Sequence, residues 1–284
     1  MSQEKINFEN RYDTQEKEIF VLTMRYLGAG LLGGAPRYWS AQQPVIACAN
    51  KDSLLYQEHI PYLTWLMTDE ECNTKEKIFD LQPQTIYRLK VRESLAIGQL
   101  PHAHSLLVVD VLQRNCHHPM LEKELEIFRN PVSFFLEGFG EMTLDKEFNM
   151  FCGKTLWNGF ECSVFFDTDD DNENTAKEAS KTACSLLADC KHWDEKARKY
   201  AAHLFAEDAT EWKMDSDEFA GVDCKDIPPI SEEEFANRLT ISEICISNDG
   251  SFQFYYDDDD MFWGHVVIVR GDLETGLEGG EIAG

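Results

Sequence analysis

The densest group of ionisable side chains is Asp257-Asp258-Asp259-Asp260, followed directly by Met261-Phe262-Trp263-Gly264-His265. A row of carboxylates offers hard oxygen ligands to a cation, or an acidic surface to a basic partner. Two carboxylates ~7 Å apart in water repel by only about 0.6 kcal/mol, so an exposed hairpin tip tolerates them. His265 could ligate a metal or carry a proton, yet no second histidine and no nucleophile lies near it in sequence. The pattern assigns Asp257, Asp258, Asp259 and Asp260 to partner contact, with Trp263 and Tyr255 as aromatic anchors and His265 alongside. The competing reading is a solvated turn beside packed aromatics.

A second acidic run, 167–178, has the spacing of a calcium loop. Asp167, Asp169 and Asp171 fall at the first three liganding positions, and Glu178 falls at the twelfth, where a bidentate carboxylate belongs. Asn172 replaces the usual glycine, and a strand rather than a helix precedes the run. Thr175 followed by Glu178 also reads as a capping box that starts a helix. No cofactor is therefore expected, with calcium as the alternative. His102-Ala-His104 and His117-His118 lack a cysteine or acid at a zinc-diagnostic spacing. The glycines at 28, 30, 33 and 34 lead into Ala35-Pro36-Arg37, without the Lys-Ser/Thr pair of a phosphate loop. Serine-hydrolase and zinc-protease signatures are absent.

Charge is distributed unevenly. The formal charge is -26, and residues 137–284 hold 12 basic against 35 acidic side chains, so nearly all the excess lies there. Such a field repels nucleic acid and anionic membrane and attracts basic proteins. Direct nucleic-acid binding is not expected, because no basic patch is visible. The nine cysteines (48, 72, 116, 152, 162, 184, 190, 224 and 245) form no C-x-x-C pair, which fits free thiols in a reducing compartment. No apolar leader or membrane-length apolar run is present, so cytoplasmic residence is expected.

The elements that must position these residues are α and β in mixture. Residues 14–33 and 54–67 read as helical, the latter interrupted by Pro61. Strands are expected over 44–49, 84–92 and 106–112, and a helix over 119–128. From Pro131 the pattern is a meander, 132–136, 140–144, 150–157 and 161–166, with Asn158-Gly159 as the strongest hairpin signal. Helix follows from 175 to 205, broken near 191–194, then an acidic loop over 211–232 and a short helix opened by Ser231 and Glu234. Strands are expected over 241–246, 251–256 and 262–269, with turns at 257–260 and 271–280. The fold class is α+β, antiparallel meanders packed with helices, divided into a mixed α/β region over 1–130 and an acidic domain over 131–284.

The run Glu234-Phe235, Arg238-Leu239, Ile244, Asp249-Gly250-Ser251-Phe252, Phe254, Tyr256, Asp257, Asp260, Phe262-Trp263-Gly264-His265 and Gly271 resembles the bacterial domain-of-unknown-function family 2262. Gly140, Leu144, Phe151, Gly153, Trp157-Asn158-Gly159, Trp193 and Tyr200-Ala201-Ala202 are similar to it as well. The resemblance spans about 130–284 and implies a bacterial intracellular protein, with no activity or catalytic residues attached. The expected function is a non-enzymatic acidic binding protein, an immunity or accessory protein covering a basic protein partner. The alternatives are a metal-dependent hydrolase or calcium-binding module, and a nucleic-acid mimic whose carboxylates imitate phosphates.

Overall fold

The computed structural model describes residues 3–33, 37–57, 59–74, 78–95, 104–219 and 221–284; Gly34, Ala35, Pro36 and His102 lie outside them. The chain divides into two compact units, Met1–Asn130 and Pro131–Gly284.

The first unit contains α1 (Gln3–Glu9), β1 (Lys17–Thr23), β2 (Gly28–Gly33), β3 (Tyr38–Gln43), β4 (Val45–Ala49), β5 (Leu54–Leu55), β6 (Tyr62–Thr68), α2 (Asp69–Asn73), β7 (Ile86–Glu93), β8 (Ser105–Gln113) and α3 (Pro119–Arg129). Its sheet runs β2-β3-β6-β8-β7-β1-β4-β5, antiparallel except where β6 meets β8. The helices expected over 14–33 and 54–67 are strands. Both core strands are covered on two faces, so their apolar residues run on without alternation. Val21 belongs to one apolar cluster, while its neighbour Leu22 packs with Leu121 of α3 in another. In β6, Leu63, Thr64 and Trp65 are buried in succession.

The second unit contains β9 (Ser133–Leu136), β10 (Gly140–Asp145), β11 (Met150–Trp157), β12 (Phe160–Asp167), α4 (Lys177–Ala188), α5 (Cys190–Met214), α6 (Glu232–Arg238), β13 (Thr240–Ile246), β14 (Ser251–Asp257), β15 (Val266–Asp272) and β16 (Gly276–Ala283). Its strands lie side by side in chain order, β9 through β16. Two four-stranded meanders are thus joined by one parallel pair, β12 with β13. Asn158 and Gly159 both have positive φ, 49° and 91°, as a two-residue hairpin requires.

The three helices of this unit cover one face of the sheet. On α5, Ala197, Ala201, Ala202, Ala206 and Ala209 are buried at helical spacing against Phe252, Phe254, Tyr256, Val267 and Val269. Small residues there let the helix axis approach the strands closely. Gly280 serves the same approach, since a Cβ on it would lie 3.0 Å from the Phe205 ring and 2.9 Å from the Ile268 carbonyl oxygen.

Three boundaries differ from the sequence reading. The helix break falls at Asp189, and α5 continues to Met214 before two 3-10 turns. Residues 262–265 belong to the turn, because Asp258 holds them there, and β15 begins at Val266. The expected turn over 271–280 shrinks to the residues between Asp272 and Gly276, where the Asp272 carboxylate accepts the Glu274 and Thr275 amides, and β16 follows.

At the centre of this unit Asp194, on α5 and 2% exposed, is enclosed by donors. Arg198 Nε donates to it at 2.9 Å, Asn158 Nδ2 at 3.0 Å and the Tyr256 hydroxyl at 3.3 Å. Arg198 also donates to the Leu239 carbonyl, and its guanidinium lies over the Tyr256 ring at 5.3 Å. One ion pair therefore ties α5 to the β11–β12 hairpin, to β14 and to the exit of α6. Burial, then the Asp194 charge, pushes the Tyr256 hydroxyl well above its ordinary range, and burial lifts the nearby Cys162 thiol to about 12. Removing one partner of such a pair strands a charge. Asp194→Ala is expected to lose about 3–5 kcal/mol in urea unfolding. A loss below about 1 kcal/mol would show that the network holds nothing together.

Candidate functional site

The acidic turn connects β14 to β15, and its four aspartates have separate tasks. Asp257 ends β14 with its side chain exposed. Asp258 is 4% exposed. Its carboxylate accepts the Asp260 amide at 3.2 Å and the Phe262 amide, so it builds the turn from within. Asp259 pairs with Arg238 of α6, whose Nε lies 3.0 Å from its carboxylate and whose Nη2 donates to its carbonyl at 2.8 Å. Among the described residues the Asp260 carboxylate has no partner; Asp260 is tied into the turn through its amide.

This construction forces non-glycine residues into left-handed backbone, with φ of 51° at Asp259, 61° at Asp260 and 54° at Trp263. Asp visits that region at modest cost, whereas a bulky tryptophan there is an outlier. Trp263 is 54% exposed, while its neighbour Phe262 is fully buried. Trp212, near the end of α5, braces the turn. Its ring centroid lies 4.8 Å from Trp263, 5.2 Å from His265 and 5.4 Å from Phe262. His265 donates from Nδ1 to the Phe262 carbonyl at 2.6 Å, so its ring closes the turn.

Tyr255 is not part of this group. Phe252, Phe254 and Tyr256 enter the helix-covered core, so Tyr255 stands on the opposite sheet face. Its hydroxyl donates to Gln253 at 2.7 Å, and burial, with Cys245 nearby, raises its pKa. Beside the turn is a pocket of about 390 Å³ lined by Ala209, Lys213, Ser216, Phe219, Ile230, Arg238, Asp260, Met261 and Trp263. Lys213 Nζ donates to the Pro228 carbonyl at 2.9 Å and lies 5.5 Å from the Phe219 ring centroid. The sequence reading overlooked Trp212, Lys213, Phe219 and Arg238. Among them only Arg238 carried a signal, since it stands within the run that resembles the family.

The residues of the calcium-type spacing go to different partners. Asp169, 5% exposed, accepts the Thr175 hydroxyl at 2.6 Å and the Lys177 and Glu178 amides at 3.0 and 3.1 Å. It satisfies the first turn of α4 in place of the expected box, for Ala176 is the N-cap and contributes no side-chain bond. Glu178 pairs with Lys181 at 2.6 Å, and Asp171 is exposed while Asp167 ends β12. Among the described residues no three His, Cys, Asp or Glu side chains gather at metal-binding geometry. His118 caps α3, accepting the Leu121 amide and donating to the Asn50 carbonyl, and His117 pairs with Glu122. In the first unit His104 lies edge-on to Tyr56, with ring centroids 4.9 Å apart. The Tyr56 hydroxyl and Lys17 both bind Glu93.

Burial would raise the Asp169 carboxyl, but the Thr175 hydroxyl and the two helix amides outweigh it and hold the group below its ordinary 3.8. The stabilisation is therefore complete above that value and is lost as pH falls through the lowered folded-state pKa. Asp169→Asn removes a negative charge from the N-terminus of α4 and is expected to cost about 0.5–1 kcal/mol at neutral pH. In thermal melts the gap to wild type should close below about pH 4. A gap independent of pH would remove the charge from this role.

The second unit is thus an α+β domain that presents an exposed tryptophan on a buttressed acidic turn. The chain belongs to domain-of-unknown-function family 2262, described as an uncharacterized protein conserved in bacteria, which matches residues 137–282. A second domain of unknown function, numbered 7021, matches residues 4–127. No curated protein and no solved structure matches the chain. Among the described residues no helix is long and apolar enough to cross a membrane.

Proposed function

We propose that this is a non-enzymatic acidic binding protein of the cytoplasm, an immunity or accessory protein that covers a basic protein partner. One observation carries the reading: Trp263 is 54% exposed although its φ of 54° is unfavourable for its type. Trp212 covers part of the indole at 4.8 Å, but it is Phe262 that fills the core beneath, and the larger part of Trp263 faces solvent. Strain maintained at an exposed aromatic is a sign of function, and exposed tryptophans are frequent anchors of protein interfaces.

Within the turn the work is divided. Trp263 anchors, Asp257 and Asp260 steer, and Asp258 and Asp259 maintain the shape. The surplus of acid over base in residues 137–284 supplies the long-range attraction.

Affinity capture from the native host, followed by kinetics with the recovered protein, tests this. Trp263→Ala is expected to weaken binding by about 2 kcal/mol, roughly 30-fold, with the melting temperature unchanged. Asp257→Asn with Asp260→Asn should slow association and flatten its salt dependence. A partner bound equally well by wild type and Trp263→Ala would end the proposal.

A further inference from the structure

The pocket beside Trp263 has walls of two kinds. Ala209, Ile230, Met261, Phe219 and Trp263 form an apolar and aromatic lining, and three charged groups reach it: Lys213, Arg238 and Asp260. Its volume of about 390 Å³ is in the range of ordinary ligand sites. By count two cations face one carboxylate, which favours an anionic guest. The hydrogen bonds reverse that impression.

Arg238 spends Nε and Nη2 on Asp259, and its Nη1 lies 4.0 Å from the Glu234 carboxylate. Lys213 is turned to the Pro228 carbonyl and the Phe219 ring. Both cations are engaged within the chain. Asp260 is the charged group of the pocket whose side chain has no partner among the described residues, and it sits next to the exposed indole. Along the chain on either side of Lys213 stand exposed Glu211, Asp215 and Asp217, so acidic groups outnumber basic ones in the segment that carries it.

We infer that this pocket receives an arginine side chain of the partner, its guanidinium stacked on Trp263 and forked onto Asp260, its stem against Met261 and Ile230. A planar, weakly hydrated cation suits an indole face and a free carboxylate together better than a compact ammonium does. The inference rests on the partner-binding reading and specifies the group that reading requires. It also gives Lys213 a definite role: a resident like charge that the guest must tolerate or displace.

That role makes the test one of sign. N-acetyl-arginine amide is titrated into the full-length protein, and the Trp263 indole N–H is followed by NMR, with Trp263→Phe assigning the resonance. N-acetyl-lysine amide and N-acetyl-glutamate amide are the comparison probes, and melting temperatures confirm that each variant is folded. Saturable arginine binding is expected, weakened up to about fivefold in Asp260→Asn and tightened about threefold in Lys213→Ala. An anion site would respond in the opposite direction to Lys213→Ala. Preferential binding of the glutamate or lysine probe, weaker arginine binding in Lys213→Ala, or no saturation at tens of millimolar arginine probe overturns the inference. Arginine binding without any Trp263-dependent protein partner leaves the pocket standing and removes the functional reading. A Trp263-dependent partner indifferent to Asp260→Asn and to excess arginine probe does the reverse.

Discussion

The second unit depends on a carboxylate that has been taken out of water. An ionised Asp194 in an apolar interior is tolerable only with strong donors around it, and its donors come from three places: one helical turn away at Arg198, the hairpin at Asn158 and the strand at Tyr256. Satisfying that one group sets the position of α5 along the sheet. It also sets where Leu239 lies, and so where α6 ends, because Arg198 holds the Leu239 carbonyl. Arg238, one residue earlier, is thereby brought to the acidic turn.

The same economy recurs at the turn itself. Asp258 is buried and satisfied by backbone amides alone, which fixes the left-handed run that exposes Trp263. Asp259 is consumed by Arg238. Of four like residues in a row, two are structural, and the surface displays less charge than the sequence advertises. A negative sequence segment is thus a poor guide to a negative patch until each carboxylate has been assigned its hydrogen bonds.

Local rules were legible wherever local physics decided the outcome. Asn158-Gly159 declared its hairpin, the alternation of Phe252, Phe254 and Tyr256 declared a half-buried strand, and Ser231 caps α6 as its spacing indicates. They misled where distant residues took over. β1 and β6 lie inside a sheet covered on both faces, so the periodicity that separates strand from helix was erased. Thr175 and Glu178 had the spacing of a box, but Asp169, at the start of the loop, took the amides. The pocket was invisible because Lys213, Phe219, Arg238 and Trp263 come from four segments and share no spacing. Trp263, expected within a strand, stands exposed in the turn, while Tyr255 lies on the sheet face opposite Phe254 and Tyr256, since adjacent strand positions face opposite ways.

The single parallel ladder between β12 and β13 has a kinetic meaning. Each meander can form from neighbours in sequence, hairpin by hairpin, at small entropic cost. Joining them requires the ends of the segment 168–239 to meet, and loop closure of that length comes before any reward from the ladder. The helices within that segment shorten the effective loop if they form first, and α5, with its alanine-rich face, has the composition to do so. Before the join each half of the sheet has, besides its outer edge at β9 or β16, an inner edge at β12 or β13 that only the other half covers. During synthesis the first meander leaves the ribosome with β12 unpaired on one side, a sticky border that stays uncovered until β13 arrives.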